Sequence, residues 1–399
     1  MPVLSYDLDK SEYNWGYNPL CFNSVHKEYV LDIDDPYAYV NEFRKTVNVL
    51  HENGIKVTLD LVFNHVYDRE QFDLNKMLPG HVFRYKHNHR YAEGTYCGNE
   101  LKSEDVFMRE YFKKMIRRYI ELFDIDGIRF DLMGIMDIET IEEIYLEAKK
   151  LKNDFIIYGE GWNMGDVLPV EKRACIDNAD KLEDIKMFND FFRDTIINYV
   201  CGNKQINDKV MCTLKGEGYH LQTRQSINYV ECHDNYTFFD RLMVYKNQDP
   251  LWVNIRRSRL AMALVMVSRG LPFIHMGEEF LRTKKLYENS YNAGDEINGI
   301  DWYRRVEYNS SCDFLKDLIE IRNSYPQFEK EDVKIDVFEH KDCLIYDLDD
   351  LRIYINPNDN DCLYEDDSEN HIIFSNEGKC DFYVRTIAIP AYSLVIGKR

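Results

Sequence analysis

Short apolar runs alternate with longer amphipathic stretches from the N-terminus to about residue 325, the pattern of strand and helix units around a parallel sheet. The run from Ile55 to Phe63 is the clearest strand. Further strands are predicted at Ile125 to Phe130, Phe155 to Tyr158, Ile185 to Phe188, Ile227 to Val230 and Pro272 to His275, with a partial one at Pro2 to Tyr6. Helical periodicity falls at 36–52, 104–122, 138–152, 189–200, 250–269 and 312–324. After Tyr325-Pro326 the pattern changes to short strands and turns at Val333 to Phe338, Cys343 to Tyr346, Arg352 to Ile355, His371 to Phe374 and Tyr392 to Ile396. Seven strands before that point are one short of a closed eight-stranded barrel, and the shortage lies at the front, where residue 1 already sits in a strand-like run. The expected fold class is α/β: a (β/α)8 TIM-type barrel over 1–325 lacking its first strand and helix, then a small antiparallel β-sandwich domain over 326–399.

Composition narrows the function. A chain of 399 residues with 45% hydrophobic and 30% charged positions, and only 19 Gly and 10 Pro, is globular rather than disordered or low-complexity. Fifty Lys and Arg against seventy Asp and Glu give a formal charge of -20, which repels a phosphate backbone or an anionic membrane. Nucleic acid and membrane are therefore not expected as partners. The ten Cys are scattered, with no Cys-x-x-Cys pair and no zinc spacing, and read as reduced thiols. That usage is the main ground for expecting a cytoplasmic location.

In a parallel barrel the catalytic groups sit where strands end, so polar residues just after apolar runs are the first candidates. Four strand ends carry them: Asp60 to His65, Arg129-Phe-Asp131, Tyr158-Gly-Glu160-Gly-Trp162, and His233-Asp234-Asn235. Arg129 and Asp131 are two apart in a strand and share a face, so the guanidinium can keep the carboxylate ionised. Taken alone, that tripeptide reads more readily as a structural ion pair. Glu160 lies between two glycines, expected to let a ligand approach, while the rings of Tyr158 and Trp162 are expected to disfavour its charged form. One ionised and one protonated carboxyl flanking a bond is what glycosidic hydrolysis needs, by inversion or through a covalent intermediate. His81, His87 and His89 lie in a Lys/Arg-flanked loop, the wrong field for a cation, so no metal and no cofactor are expected.

Together these four segments resemble the four short regions of the α-amylase superfamily of glycoside hydrolases, in the same order. Within it the chain is similar to type I pullulanases, which are debranching enzymes. The similarity rests on Tyr13-Asn-Trp-Gly-Tyr17, Gly98-Asn99, Arg129 to Met133, Tyr158 to Trp162, Asn289-Ser-Tyr291 and Ile300-Asp-Trp302. The resemblance implies a retaining hydrolase of α-1,6-glucosidic branch linkages in pullulan, glycogen, amylopectin or limit dextrins. It implies Asp131 as nucleophile, Glu160 as general acid and then base, and Asp234 as transition-state stabiliser. Substrate-binding positions would be Tyr17, His65, Arg129, Trp162, His233 and Asn235, with Asp60 and Asn64 as structural supports.

Two departures bear on the subsites: Asn18 stands where many relatives have Asp, and Gly277-Glu278-Glu279 has Glu at a place often occupied by Gln. The larger one is the start, which lies near the end of the second barrel strand of such enzymes and reads as an N-terminal truncation. A missing strand would leave two unpaired edges, so the chain alone is expected to be unstable or to aggregate. Alternative readings on the same scaffold are isoamylase-like debranching, α-1,4 hydrolysis, glucan branching, or an inactive glucan-binding fragment. The last of these should lack one of the three carboxylates, and all are present.

Overall fold

A computed structural model describes residues 2–6, 14–218, 220–366, 371–376, 382–383 and 386–399. Packing divides the chain into two compact units, Met1–Phe188 and Asn189–Arg399. Tyr13, Cys380 and residues 367–370 lie outside the described residues.

The first unit holds β1 (Leu4–Tyr6), β2 (Pro19–Val25), α1 (Ala38–Glu52), β3 (Thr58–Leu61), α2 (Asp73–Met77), α3 (Val106–Phe123), β4 (Gly127–Phe130), α4 (Ile138–Leu151), β5 (Ile156–Gly159) and β6 (Lys186–Phe188). Strands β3 to β6 form parallel neighbours in chain order. The partial strand at the N-terminus lies outside that ladder: β1 pairs antiparallel with β2, a strand the periodicity missed. All four positions of β4 are buried, the charged Arg129 among them. Its flanking helices are amphipathic. In α3, Met108, Phe112, Ile116, Ile120 and Phe123 recur at three- and four-residue steps and are all buried. Each such side chain contributes about 2 kcal/mol on leaving water. The Asp105 carboxylate caps the helix by accepting from the Phe107 amide at 3.1 Å. Asp137 does the same for α4, through the Thr140 amide at 3.0 Å.

The second unit opens with α5 (Asp190–Val200), α6 (Asn207–Leu214), β7 (Ser226–Asn228), α7 (Phe238–Tyr245), α8 (Leu251–Val267), β8 (Leu271–Pro272), α9 (Asp295–Asn298), α10 (Trp302–Glu307) and α11 (Asn309–Ser324). Strands β7 and β8 are parallel. From Leu260 to Val267 every residue of α8 is buried, so its sequence is apolar on all sides. Its carboxyl end is closed by the Arg322 guanidinium, which donates to the carbonyls of Met266 (2.6 Å) and Ser268 (2.9 Å).

Eight strands follow: β9 (Ile335–His340), β10 (Cys343–Leu348), β11 (Leu351–Asn356), β12 (Cys362–Glu365), β13 (His371–Ser375), β14 (Phe382–Tyr383), β15 (Thr386–Ile389) and β16 (Ser393–Lys398). They form an antiparallel five-stranded sheet, ordered β13-β16-β11-β10-β9, and a three-stranded one, β12-β15-β14. The period of two sorts the larger sheet into two buried faces. Cys343, Ile345, Tyr354 and Val395 pack with Ile387 and Ile389 of the smaller sheet. Leu344, Tyr346, Ile353, Ile355 and Ile396 share one core with Phe192, Leu264 and Phe314 of the helices.

Glu278, in the turn after β8, is 4% exposed. Its Oε2 accepts from the His275 amide at 3.0 Å, and its Oε1 has no partner among the described residues. Burial, and then the negative charge of Glu231, push its carboxyl well above the ordinary range. Because the folded state holds a proton that the unfolded chain releases, this stability is present below about pH 4.5 and is lost as pH rises toward the folded value. Glu278→Gln removes that loss. The melting temperature of the variant, relative to the wild type, should therefore rise between pH 4.5 and pH 8; a difference independent of pH would show that Glu278 is ionised in the fold.

Candidate active site

Register places the candidates of the first unit. Strands β3, β4 and β5 align Asp60 with Arg129 and Arg129 with Tyr158, in one row on one face. The next residues on that face are Asp131 and Glu160, one level further along their strands. Their backbones continue the ladder: the Asp131 amide donates to Leu61 O at 3.0 Å and the Glu160 amide to Phe130 O at 3.1 Å.

The Arg129 guanidinium, 5% exposed, is the joint between them. Its Nη1 donates to Asp60 Oδ1 at 2.6 Å and to Asp131 Oδ1 at 3.3 Å, and its Nη2 donates to Glu160 Oε1. Three carboxyl groups thus share one cation, which leaves an excess of negative charge in a low-dielectric setting. Burial costs the guanidinium, but the surrounding carboxylates, Asp60 first, hold its pKa well above the ordinary value. The Tyr17 hydroxyl donates to Asp60 Oδ2 at 2.7 Å, and its ring lies 5.5 Å from the guanidinium carbon. Burial raises the pKa of that phenol well above 10, so the proton stays on Tyr17.

Each carboxylate of the pair has a second donor. Asn64 Nδ2 reaches both the Asp131 carbonyl and Asp131 Oδ2, each at 2.8 Å. With its amide nitrogen so used, Asn64 turns its oxygen to His65 Nδ1 at 2.6 Å. His65 is buried, and burial lowers its pKa to about 4, so it is neutral at ordinary pH. Glu160 Oε2 accepts from the Leu132 amide at 2.9 Å. Leu132 has φ 42°, a left-handed backbone costing a side-chain-bearing residue about 1 kcal/mol, and this turn aims its amide back at Glu160. Sequence reasoning missed Leu132, because no side-chain chemistry marks a residue that acts through its amide.

The glycines around Glu160 also meet a packing constraint. A Cβ on Gly159 would lie 2.6 Å from Phe130 O, and one on Gly161 2.6 Å from Met187 Sδ. Gly159 thus admits the backbone of β4, and Gly161 the Met187 side chain of β6. Gly134 is tighter still: its Cβ would lie 1.8 Å from Trp162 O, and its amide donates to Glu160 O at 2.9 Å. Segment 160–162 is thereby laid directly on the turn after β4, with the half-buried Trp162 at its end. An isolated glycine three residues after Asp131 was the only trace of this in the sequence. Of the loop histidines, His81 Nδ1 lies 3.1 Å from Asp105, and no group of three or more His, Cys, Asp or Glu among the described residues could hold a metal ion.

The second unit carries the candidates His233, Asp234 and Asn235 on the turn after β7. Asp234 is half-buried, with Oδ2 3.6 Å from His233 Nε2. Asn235 is exposed and left-handed, φ 59°. Below them the Glu231 carboxylate accepts from the Phe238 amide at 2.6 Å and meets His275 Nδ1 at 2.8 Å. His275 Nε2 lies 3.2 Å from Arg282 Nη1, which can only donate, while its Nδ1 faces Glu231. Glu231 and His275 were not among the candidates, although both lie within a few residues of strand ends.

No family model matches the chain. It is 36% identical over 365 residues to the pullulanase of Bacillus subtilis (strain 168), an alignment covering 85% of this chain and 51% of that protein. Among solved structures it is similar to the pullulanase of Anoxybacillus sp. LM18-11 complexed with maltotetraose, with a TM-score of 0.94 and 32% identity over 100% of this chain and 63% of that one. It is similar also to the pullulanase of Paenibacillus barengoltzii in complex with maltohexaose and α-cyclodextrin: TM-score 0.92, 31% identity, 100% of this chain and 68% of that one. The chain thus spans about half the length of the curated relative it matches. No helix among the described residues is long and apolar enough to cross a membrane. Identity above 30% across two thirds of a solved pullulanase, together with the parallel β/α units and the antiparallel β domain, establishes that the chain belongs to the pullulanase family of the α-amylase superfamily.

Proposed function

We propose that this chain is the catalytic portion of an α-glucan debranching hydrolase, cleaving α-1,6 linkages by double displacement with retention. The observation that carries the reading is the shared guanidinium: Arg129 holds Asp131 and Glu160 on its two terminal nitrogens at neighbouring strand ends. Pullulan, glycogen, amylopectin and limit dextrins are the proposed substrates, in keeping with relatives solved with maltooligosaccharides. Residues 1–325 are proposed as the barrel and 326–399 as the β-sandwich. Nine free cysteines among the described residues favour a reducing, cytoplasmic location.

The chemistry follows from the charges. With one cation divided among three carboxyl groups, Glu160 can take up a proton when a sugar covers the site and excludes water. Glu160 then gives that proton to the bridging oxygen as Asp131 attacks the anomeric carbon, forming a glycosyl ester and releasing the stem chain. The oxocarbenium-like charge that develops is stabilised by the surplus of negative charge, with Asp234 as the third carboxylate. Glu160, now ionised, takes a proton from water, which attacks the same carbon and frees Asp131. Arg129 and Asn64 keep Asp131 aimed throughout. Tyr17, His65, Trp162, His233 and Asn235 are proposed to bind the sugars, and Asp60 to support Arg129.

Asp131→Asn should lower kcat on pullulan about 10⁴-fold or more, with the melting temperature little changed. Glu160→Gln should lose a comparable factor on pullulan but far less on an α-glycosyl fluoride, whose leaving group needs no proton. Equal losses on the two substrates would remove Glu160 from the acid role. Substrate choice separates the members of the superfamily: maltotriose should be released from pullulan, with no product from linear amylose, whereas cleavage of amylose would assign an α-1,4 activity.

A further inference from the structure

Two backbone carbonyls that flank Asp234 converge on one buried ammonium. Lys284, 1% exposed, donates from Nζ to the carbonyl oxygens of His233 at 3.0 Å, of Asn235, and of Glu288 at 3.1 Å. Three acceptors use the three hydrogens of an ammonium. The peptide unit before Asp234 and the one after Asn235 are therefore held by the same atom, which brackets the two residues of the turn from which the Asp234 carboxylate projects. The clamp also offsets the cost, about 1 kcal/mol, of the left-handed Asn235 that closes the turn.

The lysine is itself rooted. Its backbone amide donates to Asp240 Oδ2 at 2.6 Å, and the neighbouring Thr283 hydroxyl donates to Asp240 Oδ1. Asp240 is fully buried in the first turn of α7, where its amide donates to Thr237 Oγ1 at 3.1 Å. The third acceptor, Glu288, belongs to the loop that Asn298 closes by donating to Ser290 O at 2.8 Å and Ala293 O at 2.6 Å. Burial pulls the pKa of Lys284 down, and the negative charges of Asp234 and Glu231 oppose this. In the sequence the residue sits beside Lys285 and two places after Arg282, a basic run that reads as a solvated surface.

We infer that Lys284 is a positioning residue of the debranching site: its ammonium sets the turn 233–235 and through it the aim of Asp234. The inference rests on the role proposed for Asp234 and adds a residue that touches no sugar. An Arg at 284 would keep the charge, but a planar fork cannot point three hydrogens along the tetrahedral directions the three carbonyls require. A Met would fill the same volume and donate nothing.

A double-mutant cycle on pullulan tests it, using the wild type, Lys284→Met, Asp234→Asn and the double variant. In Lys284→Met kcat should fall about 100-fold while KM changes less than about threefold, the signature of an interaction expressed in the transition state. The double variant should be no slower than Asp234→Asn alone, because the lysine acts through the carboxylate already removed. Wild-type kcat in Lys284→Met, or losses that multiply in the double variant as a merely structural role would give, overturns the inference. Should Asp234→Asn itself keep wild-type kcat, the reading of Asp234 falls and the inference with it; that single rate tells the two failures apart. If Lys284→Met does not fold, the same cycle is read with Lys284→Arg, where a loss of about tenfold that vanishes in the Asp234→Asn background supports the clamp and a multiplicative loss refutes it.

Discussion

The buried guanidinium of Arg129 is the constraint on which the rest of the first unit depends. Three carboxyl groups brought together without it would repel one another by several kcal/mol at the effective dielectric of a protein interior. With it, the attraction falls on separate terminal nitrogens, so that each carboxyl has a fixed direction as well as a partner. Once Asp60 is counted against Arg129, the pair of carboxylates proposed to react stays two positive charges short of neutrality, and one short when Glu160 carries its proton. A surplus of that sign is what a developing sugar cation would meet.

For one arginine to reach three strands, the strands must be close and in register, and the backbone shows how that is secured. Gly127, Gly134, Gly159 and Gly161 lie where a side chain would collide with a neighbouring strand or turn. The left-handed Leu132 then spends a little conformational energy to turn one more donor toward Glu160. In the second unit the device is different. The turn bearing Asp234 is held from below by an ammonium on three carbonyls, and its neighbours Glu231, His275 and Arg282 form a chain of buried polar groups. Both units rely on charged side chains satisfied by backbone atoms, an arrangement costly to leave incomplete.

Much of this was legible in the sequence. The long helices over 38–52, 106–123, 138–151 and 251–267 stand within a few residues of where periodicity put them, because each carries an apolar face or, in the last, an unbroken apolar run from Leu260 to Val267. The four polar strand ends stood out because carboxylates, imidazoles and a guanidinium follow apolar runs. What escaped has physical reasons. Strand β2 alternates weakly, α6 and α7 are only eight residues each, and β12 and β15 have four residues apiece, too short for a period to register. The packing constraint on Gly159 and Gly161 escaped because spacing along a chain says nothing about the strand across from it. Leu132 and Lys284 escaped for the same reason, since their work is done through an amide and through backbone carbonyls far along the chain.

The account stands on Asp131 making the bond to sugar while Glu160 moves the proton. The most direct test is to treat the protein with a fluorinated α-glycosyl fluoride that forms the glycosyl ester and hydrolyses slowly, then locate the label by peptide mass mapping. The account predicts a single sugar esterified to Asp131. A label carried by Glu160, Asp234 or any other residue would contradict it.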